Sequence, residues 1–338
     1  MHYSKIIITN LPSFYKINLY NKINEKKKIF VVFTGDTASI RKKDFFKGNI
    51  NFDHINLENK STIKKIIAAH KIISTFSYNE LIACGLNELI NWFCVFYSPR
   101  QKNATVVESS YYESTTSGLK GFIKKLFFKR ISTTYASGIA QEKLAKGLGF
   151  KGKMVITKGV GIFNIIQQPE YIPTTKVSSF IYVGRLSEEK NLKFLINIFN
   201  KHPQYILNII GYGPEEEDLK SGANHNIKFL GAIDNGVLPE LYQKNDVFIL
   251  PSIKEPWGLV VEEALNNGLP VIISNKVGCV EEIIKPDFNG LSFDPISESS
   301  LISCIEKITN VSYYNQLKQN ISKLDFNETV QYQVNCYI

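Results

Sequence analysis

Short runs of β-branched and aromatic residues alternate along this chain with segments of helical periodicity. Residues 5–9 (KIIIT) and 29–33 (IFVVF) are apolar runs closed by loop residues, Asn10-Leu-Pro and Thr34-Gly-Asp. Continuous apolar runs of this length are the pattern of buried parallel strands. Residues 15–24 between them read as a helix. The alternation continues with runs at 72–75, 91–97 and 105–107. A strand at 132–136, a helix at 141–148 and a strand at 153–157 follow. Residues 167–176 (QQPEYIPTTK) place two prolines between strand-like segments and read as a linker. A second series then begins. It predicts strands at 180–183, 205–210, 227–230, 247–250 and 271–274, and helices at 191–199, 215–220, 239–244, 260–266 and 280–284. Strand and helix alternating twice over predicts an α/β chain of two doubly wound domains. They are expected at 1–166 and 167–320, with residues 321–338 as a tail packing back towards the first domain.

Composition narrows the class. The 338 residues are 44% hydrophobic and 21% charged, as in a globular protein and not a disordered one. Charge is divided unevenly. Residues 1–168 carry 26 Lys and Arg against 10 Asp and Glu, a net +16; residues 169–338 carry 14 against 21, a net −7. The asymmetry points to an anionic partner for the first half alone. Five cysteines without C-x-x-C or zinc spacing read as reduced thiols of a cytosolic protein. The first residues hold too short an apolar run for a signal peptide, and no stretch approaches the ~20 residues of a membrane span. The five histidines show no paired spacing, and none is assigned chemistry.

Candidate chemistry lies just past expected strand ends in the second half, where open α/β sheets bind ligands. Gly184 closes a strand, and Arg185 and Lys190 occupy the following loop and helix start. Two cations beside helix amides suit a diphosphate; the same residues also suit a solvated loop. Gly211-Tyr212-Gly213 lacks the third glycine and the later acid of a dinucleotide site, so nicotinamide binding is not supported. A tight turn is the simpler reading there. Glu255 lies in the loop after another strand, and Gly258 lets backbone amides approach an anion. Glu262 and Glu263 follow on the next helix. The two carboxylates Glu255 and Glu263 suit sugar hydroxyls; surface acids are the alternative. Gly278, in a turn into a further helix, is a second candidate anion site.

In order, these segments read G-R-L-S-x-E-K-N, G-x-G-P, F-L-G, D-V-F-I-L-P-S, E-P-W-G-L-V-x-x-E-A and N-G-L-P-V-I, over residues 179–295. The series resembles the retaining glycosyltransferases of family 4, which have the GT-B fold of two Rossmann-like domains facing a cleft. The resemblance implies that Arg185 and Lys190 grip a nucleotide diphosphate, that Glu255 contacts the transferred sugar and that Glu263 contacts the ribose. It implies further donor contacts from Gly184, Gly211, Tyr212, Gly213 and the backbone of Trp257, Gly258, Leu259 and Val260, with Leu230 beside the base. Cys279 stands where the family often has a second glycine, and Pro256-Trp257 replaces a small residue and Phe. Arg185, Lys190 and Glu255 are the expected catalytic groups: fixed cations act most strongly on charge that grows in the transition state, which is the role of Arg185 and Lys190, and Glu255 would hold the transferred sugar. The chain has no Asp-x-Asp and no zinc-ligand cluster. The expectation is therefore no metal and no cofactor, with a nucleotide-diphosphate sugar as co-substrate. The resemblance further implies retention at the anomeric carbon, through front-side attack without a protein base.

The first half resembles the family less. Its loop after the first strand offers Asn10, Ser13 and Lys16, and the loop after a later strand offers Glu108 and Glu113, as acceptor contacts; a polar loop is the alternative. From Gly118 to Arg130, apolar Leu119, Phe122, Ile123, Leu126 and Phe127 recur at helical spacing, with Lys120, Lys124, Lys125, Lys129 and Arg130 between them. A basic amphipathic helix suits an anionic membrane surface; a core-packed helix with a solvated basic face is the alternative. No nucleic-acid motif is present. The expected function is transfer of a sugar to a saccharide acceptor, lipid-linked, as in O-antigen, capsule or lipopolysaccharide assembly, at the cytoplasmic face of the cell membrane. A GT-B sugar-nucleotide 2-epimerase and a non-catalytic sugar-nucleotide-binding module are the alternatives.

Overall fold

A computed structural model describes residues 1–35, 46 and 48–338. They form two compact units, Met1–Phe163 with Asn327–Ile338, and Asn164–Phe326.

The first unit holds β1 (His2–Thr9), α1 (Phe14–Lys26), β2 (Ile29–Phe33), β3 (Asp53–Asn56), α2 (Thr62–Thr75), β4 (Ser77–Cys84), α3 (Leu89–Tyr97), β5 (Asn103–Val107), α4 (Gly118–Phe128), β6 (Thr133–Ala136), α5 (Ile139–Gly147) and β7 (Lys153–Ile156). Its described strands form one sheet in the order β3-β2-β1-β4-β5-β6-β7, every pair parallel. The order reverses between β1 and β4, so loops leaving their carboxyl ends diverge there and open a crevice.

The second unit holds β8 (Ser179–Val183), α6 (Leu192–Asn200), β9 (Ile206–Ile210), α7 (Glu216–Ser221), β10 (Ile227–Gly231), α8 (Leu238–Gln243), β11 (Val247–Leu250), α9 (Leu259–Asn266), β12 (Val271–Ser274), α10 (Val280–Ile283), β13 (Gly290–Phe293), α11 (Glu298–Thr309) and α12 (Val311–Ile321). Its order, β10-β9-β8-β11-β12-β13, is again parallel throughout and reverses between β8 and β11. The last helix, α13 (Phe326–Cys336), returns to the first unit. There the Tyr332 hydroxyl donates to the Ile156 carbonyl at 3.1 Å, and Tyr337 stacks on Tyr135 at 4.5 Å.

Three sequence expectations change. The runs at 72–75 and 91–97 lie in helices α2 and α3; a short apolar run does not distinguish a buried helix from a strand. The strand between them is β4. Its Glu80 breaks the apolar pattern because it is paired in the interior with Lys5 of β1. Residues 167–176 are irregular but tied down: Gln168 donates to the Ile321 carbonyl at 3.2 Å and Thr174 N–H to Asn315 at 2.9 Å. Helix α4 divides its apolar residues. Phe127 and Phe128 are buried with Val95, Leu144 and Phe150. Leu119, Phe122 and Ile123 are 76%, 58% and 44% exposed. A fully buried side chain of this kind stabilises by about 1.5–3 kcal/mol; the three exposed ones contribute little to this fold.

Candidate functional site

The crevice of the second unit is built from the loops after β8 and β11. Gly184 directly follows β8, and a turn at Glu188–Lys190 closes on Asn191, which adopts the left-handed conformation (φ 58°) before α6 begins. That turn carries the Lys190 ammonium, 11% exposed, to the Glu255 carboxylate, 14% exposed, and the two form an ion pair. The loops are also joined through backbone, with Ile253 N–H donating to the Glu189 carbonyl at 2.9 Å. Arg185 is half-exposed and pairs with Glu189 at 3.2 Å, and the Ser187 hydroxyl donates to the same Glu189 oxygen at 2.7 Å. Burial opposes the Glu189 charge. The Ser187 and backbone hydrogen bonds and the two cations outweigh it and hold the carboxyl below the usual range.

The Gly211-Tyr212-Gly213 segment lies against this loop. Gly184 N–H donates to the Ile210 carbonyl at 3.0 Å and Leu186 N–H to that of Tyr212 at 3.0 Å. Gly211 has φ +143°, and a Cβ there would run into the Gly184 carbonyl oxygen. The glycine is thus required by close approach of two chain segments. Leu230 is exposed on β10, and Tyr212 is half-buried.

After β11, the chain reaches Gly258 at φ +95°, where a Cβ would lie 2.8 Å from Val277, and enters α9. Leu259 and Val260, half-buried, open that helix. Trp257 is buried, and its indole Nε1–H donates to Glu262 Oε2 at 2.8 Å. Tyr242 of α8 donates to Glu263 at 3.4 Å. Burial pushes the Glu262 carboxyl up to about 8 and that of Glu263 up to about 7; the Trp257 and Tyr242 bonds only partly oppose this. The Cys279 thiol is buried beside these acids and is also pushed up, by desolvation first and then by Glu262.

Arg185, Lys190, Glu255 and the start of α9 therefore converge on the switch point of one sheet. Glu189, Tyr242 and the Trp257–Glu262 bond, which hold the candidates in place, were not singled out by sequence. Their signal was weak: each lies within a few residues of a candidate or on a separate helix.

In the first unit the candidates divide. Lys16 of α1 is buried, and its ammonium pairs with Glu108, past the end of β5, at 3.1 Å and contacts the Thr9 hydroxyl at 3.4 Å. Burial alone would lower the Lys16 pKa, but Glu108, Tyr15 and Cys84 outweigh it and raise it. Asn10 accepts from its neighbour Leu11 N–H at 2.8 Å. Glu113 accepts from Ser110 N–H at 3.0 Å and so closes its own turn. Ser13 is buried at the start of α1, and its hydroxyl has no hydrogen-bond partner among the described residues. Among the described residues no group of three or more His, Cys, Asp or Glu gathers as a metal site.

Residues 166–324 match the family described as Glycosyl transferases group 1. Sulfoquinovosyl transferase SQD2 of Arabidopsis thaliana is 33% identical over 153 residues, 45% of this chain and 30% of that protein. The chain thus spans under a third of the length of that curated relative. The O-antigen biosynthesis glycosyltransferase WbnH of Escherichia coli is 26% identical over 292 residues, 80% of this chain and 78% of the relative. Among solved structures, the lipopolysaccharide outer core galactosyltransferase WaaB, in its apo form, superposes with a TM-score of 0.73 at 15% identity over 99% of both chains. Anabaena HepE in complex with UDP and glucose superposes with a TM-score of 0.71 at 17% identity over 97% of both. The fold is the GT-B architecture of two parallel-sheet Rossmann-like domains.

Proposed function

We propose that this chain is a glycosyltransferase that takes a sugar from a nucleotide-diphosphate donor held by its second unit. The observation that carries the reading is the convergence of Arg185, Lys190, Glu255 and the α9 amino terminus on one sheet's switch point. Both cations are held by carboxylates, Glu189 and Glu255, which keep their places until a diphosphate takes them over. Negative charge grows on the leaving diphosphate during transfer, and preorganised cations act most strongly there. They supply this clamp without a divalent ion, so transfer is expected to survive EDTA. Retention of anomeric configuration, as in family 4, is proposed on the motif resemblance.

The acceptor is proposed to be a saccharide, lipid-linked, engaged by the Lys16–Glu108 pair of the first unit. Relatives named for O-antigen and lipopolysaccharide synthesis support this class. Attachment to the cytoplasmic face of an anionic membrane is proposed through α4 and its neighbours. No described helix is long and apolar enough to cross a membrane. Helix α3 packs on α2 through His70 and Tyr97 at 4.8 Å and on α4 through Trp92 and Phe127 at 5.2 Å. This layer exposes Ile63, Ile67, Phe96, Leu119 and Phe122. Lys64 of α2, Lys120 and Lys125 of α4, and Lys60 just before α2 are exposed, and each near-surface cation adds about 1 kcal/mol of attraction to an anionic leaflet.

The test of the donor reading is thermal unfolding with a panel of nucleoside diphosphates and their sugars. Stabilisation by one base, lost in Lys190→Ala, is expected. No stabilisation by any of them would overturn the reading.

A further inference from the structure

Glu262 is the most buried acid of the second-unit crevice, at 1% exposure, and it has no cation for a partner in any hydrogen bond or ion pair described. Its Oε2 accepts the Trp257 indole N–H at 2.8 Å, and its Oε1 has no hydrogen-bond partner among the described residues. Burying a carboxyl costs free energy that an apolar side chain of similar volume would avoid. The one specific contact the acid makes is therefore the key to its presence.

That contact sits at a junction. Trp257 is buried at 2% exposure directly before Gly258, whose left-handed backbone turns the chain into α9. The Trp257 carbonyl accepts from Cys279 N–H at 3.0 Å, and the Glu255 carbonyl accepts from Gly278 N–H at 2.9 Å. Glu255 and Val277 also pair as a short parallel bridge. The loop after β11 and the glycine turn after β12 are thus joined through their backbones, and the buried indole lies at the junction. A planar side chain with one N–H has one orientation in which that donor is satisfied, and Glu262 sets it.

We propose that Trp257 and Glu262 form a positioning pair, a buried indole–carboxyl clasp that holds residues 255–259 and the 277–279 turn in the arrangement that receives the donor diphosphate. The pair touches neither the reacting atoms nor the diphosphate; it acts through the backbone of Gly258, Leu259 and Cys279. This rests on the donor-site reading above. It also accounts for Trp257 in place of the more usual Phe, since Phe cannot engage the acid.

The experiment measures the Kd of UDP, GDP and ADP by calorimetry for the full chain and for Trp257→Phe, Glu262→Leu and Glu262→Gln. Thermal unfolding of each variant shows that it is folded. Glu262→Leu keeps the volume and removes the acceptor; Glu262→Gln keeps an acceptor oxygen. For the nucleotide that binds the unmodified chain, Trp257→Phe and Glu262→Leu are expected to raise Kd about tenfold, and Glu262→Gln less than about threefold. Folded Glu262→Leu with unchanged Kd would overturn the clasp while leaving the donor site intact, as would Glu262→Gln as weak as Glu262→Leu. If the unmodified chain binds none of the three nucleotides, the donor reading itself fails and the clasp fails with it.

Discussion

Lys190→Ala removes one half of an ion pair that is largely withdrawn from water, with side-chain exposures of 11% and 14% for Lys190 and Glu255. Breaking a fully buried pair costs about 3–5 kcal/mol because the surviving charge is left uncompensated. The residual exposure here lowers that to about 2–3 kcal/mol, or a fall of about 4–12 °C in the Tm of a unit of this size. Arg185→Ala is the contrast. Arg185 and Glu189 are 50% and 32% exposed at 3.2 Å, and such pairs contribute about 0–1 kcal/mol. If both cations grip the diphosphate, each variant slows transfer by about 10²–10³, yet only Lys190→Ala loses much stability. The double variant Lys190→Ala with Glu255→Gln removes the orphaned charge. It is expected to regain most of the lost Tm and none of the lost turnover. Differential scanning calorimetry beside a nucleoside-diphosphate release assay measures both. Full turnover in Lys190→Ala, or a double variant no more stable than the single one, would refute the reasoning.

Three further outcomes follow from the geometry. Glu262 has its carboxyl raised from 4.5 to about 8 by burial, so its stabilising effect is complete below about pH 4.5 and is lost as pH rises through about 8; Glu262→Gln is therefore expected to gain Tm over the unmodified chain increasingly between pH 5 and 8, and a constant difference would contradict this. Gly211→Ala drives a methyl into the Gly184 carbonyl, and a loss of at least about 1–3 kcal/mol in denaturant unfolding is expected; a neutral variant would show that the two segments are not in close approach. Lys124 is occupied by Ser114 at 2.5 Å, so Lys120→Glu with Lys125→Glu is the sharper test of the membrane reading. Sedimentation with phosphatidylglycerol vesicles should fall at least tenfold, two reversed cations altering the attraction by about 1 kcal/mol or more each, and unchanged sedimentation would reject the reading.

The cluster proposed as the donor site was legible as a cluster because its residues are contiguous. Gly184, Arg185 and Lys190 fall within one loop, and Glu255 and Gly258 within another, so residue type and spacing were enough to mark them. The contacts that hold them were not legible. Glu262 lies five positions from Trp257 on a helix whose other acid, Glu263, has the same local pattern; only burial and the indole bond separate them. Strand β4 was hidden for a related reason, because Glu80 and Lys5 look like solvent-facing residues until they meet in the interior. Among the residues proposed for the acceptor, spacing could not tell that Lys16 and Glu108, ninety-odd positions apart, pair at 3.1 Å, while Glu113 closes its own turn. In α4, one periodic stripe served two surfaces, with Phe127 packed inwards and Phe122 exposed.

The most direct test of the account is turnover. The purified chain is given each of a panel of UDP-, GDP- and ADP-sugars with a polyprenyl-diphosphate-linked saccharide fraction, in EDTA, and release of nucleoside diphosphate is followed. The account predicts release from one donor class that requires the acceptor fraction and falls at least a hundredfold in Lys190→Ala. No release from any donor with any acceptor, or release unaffected by Lys190→Ala, would contradict it.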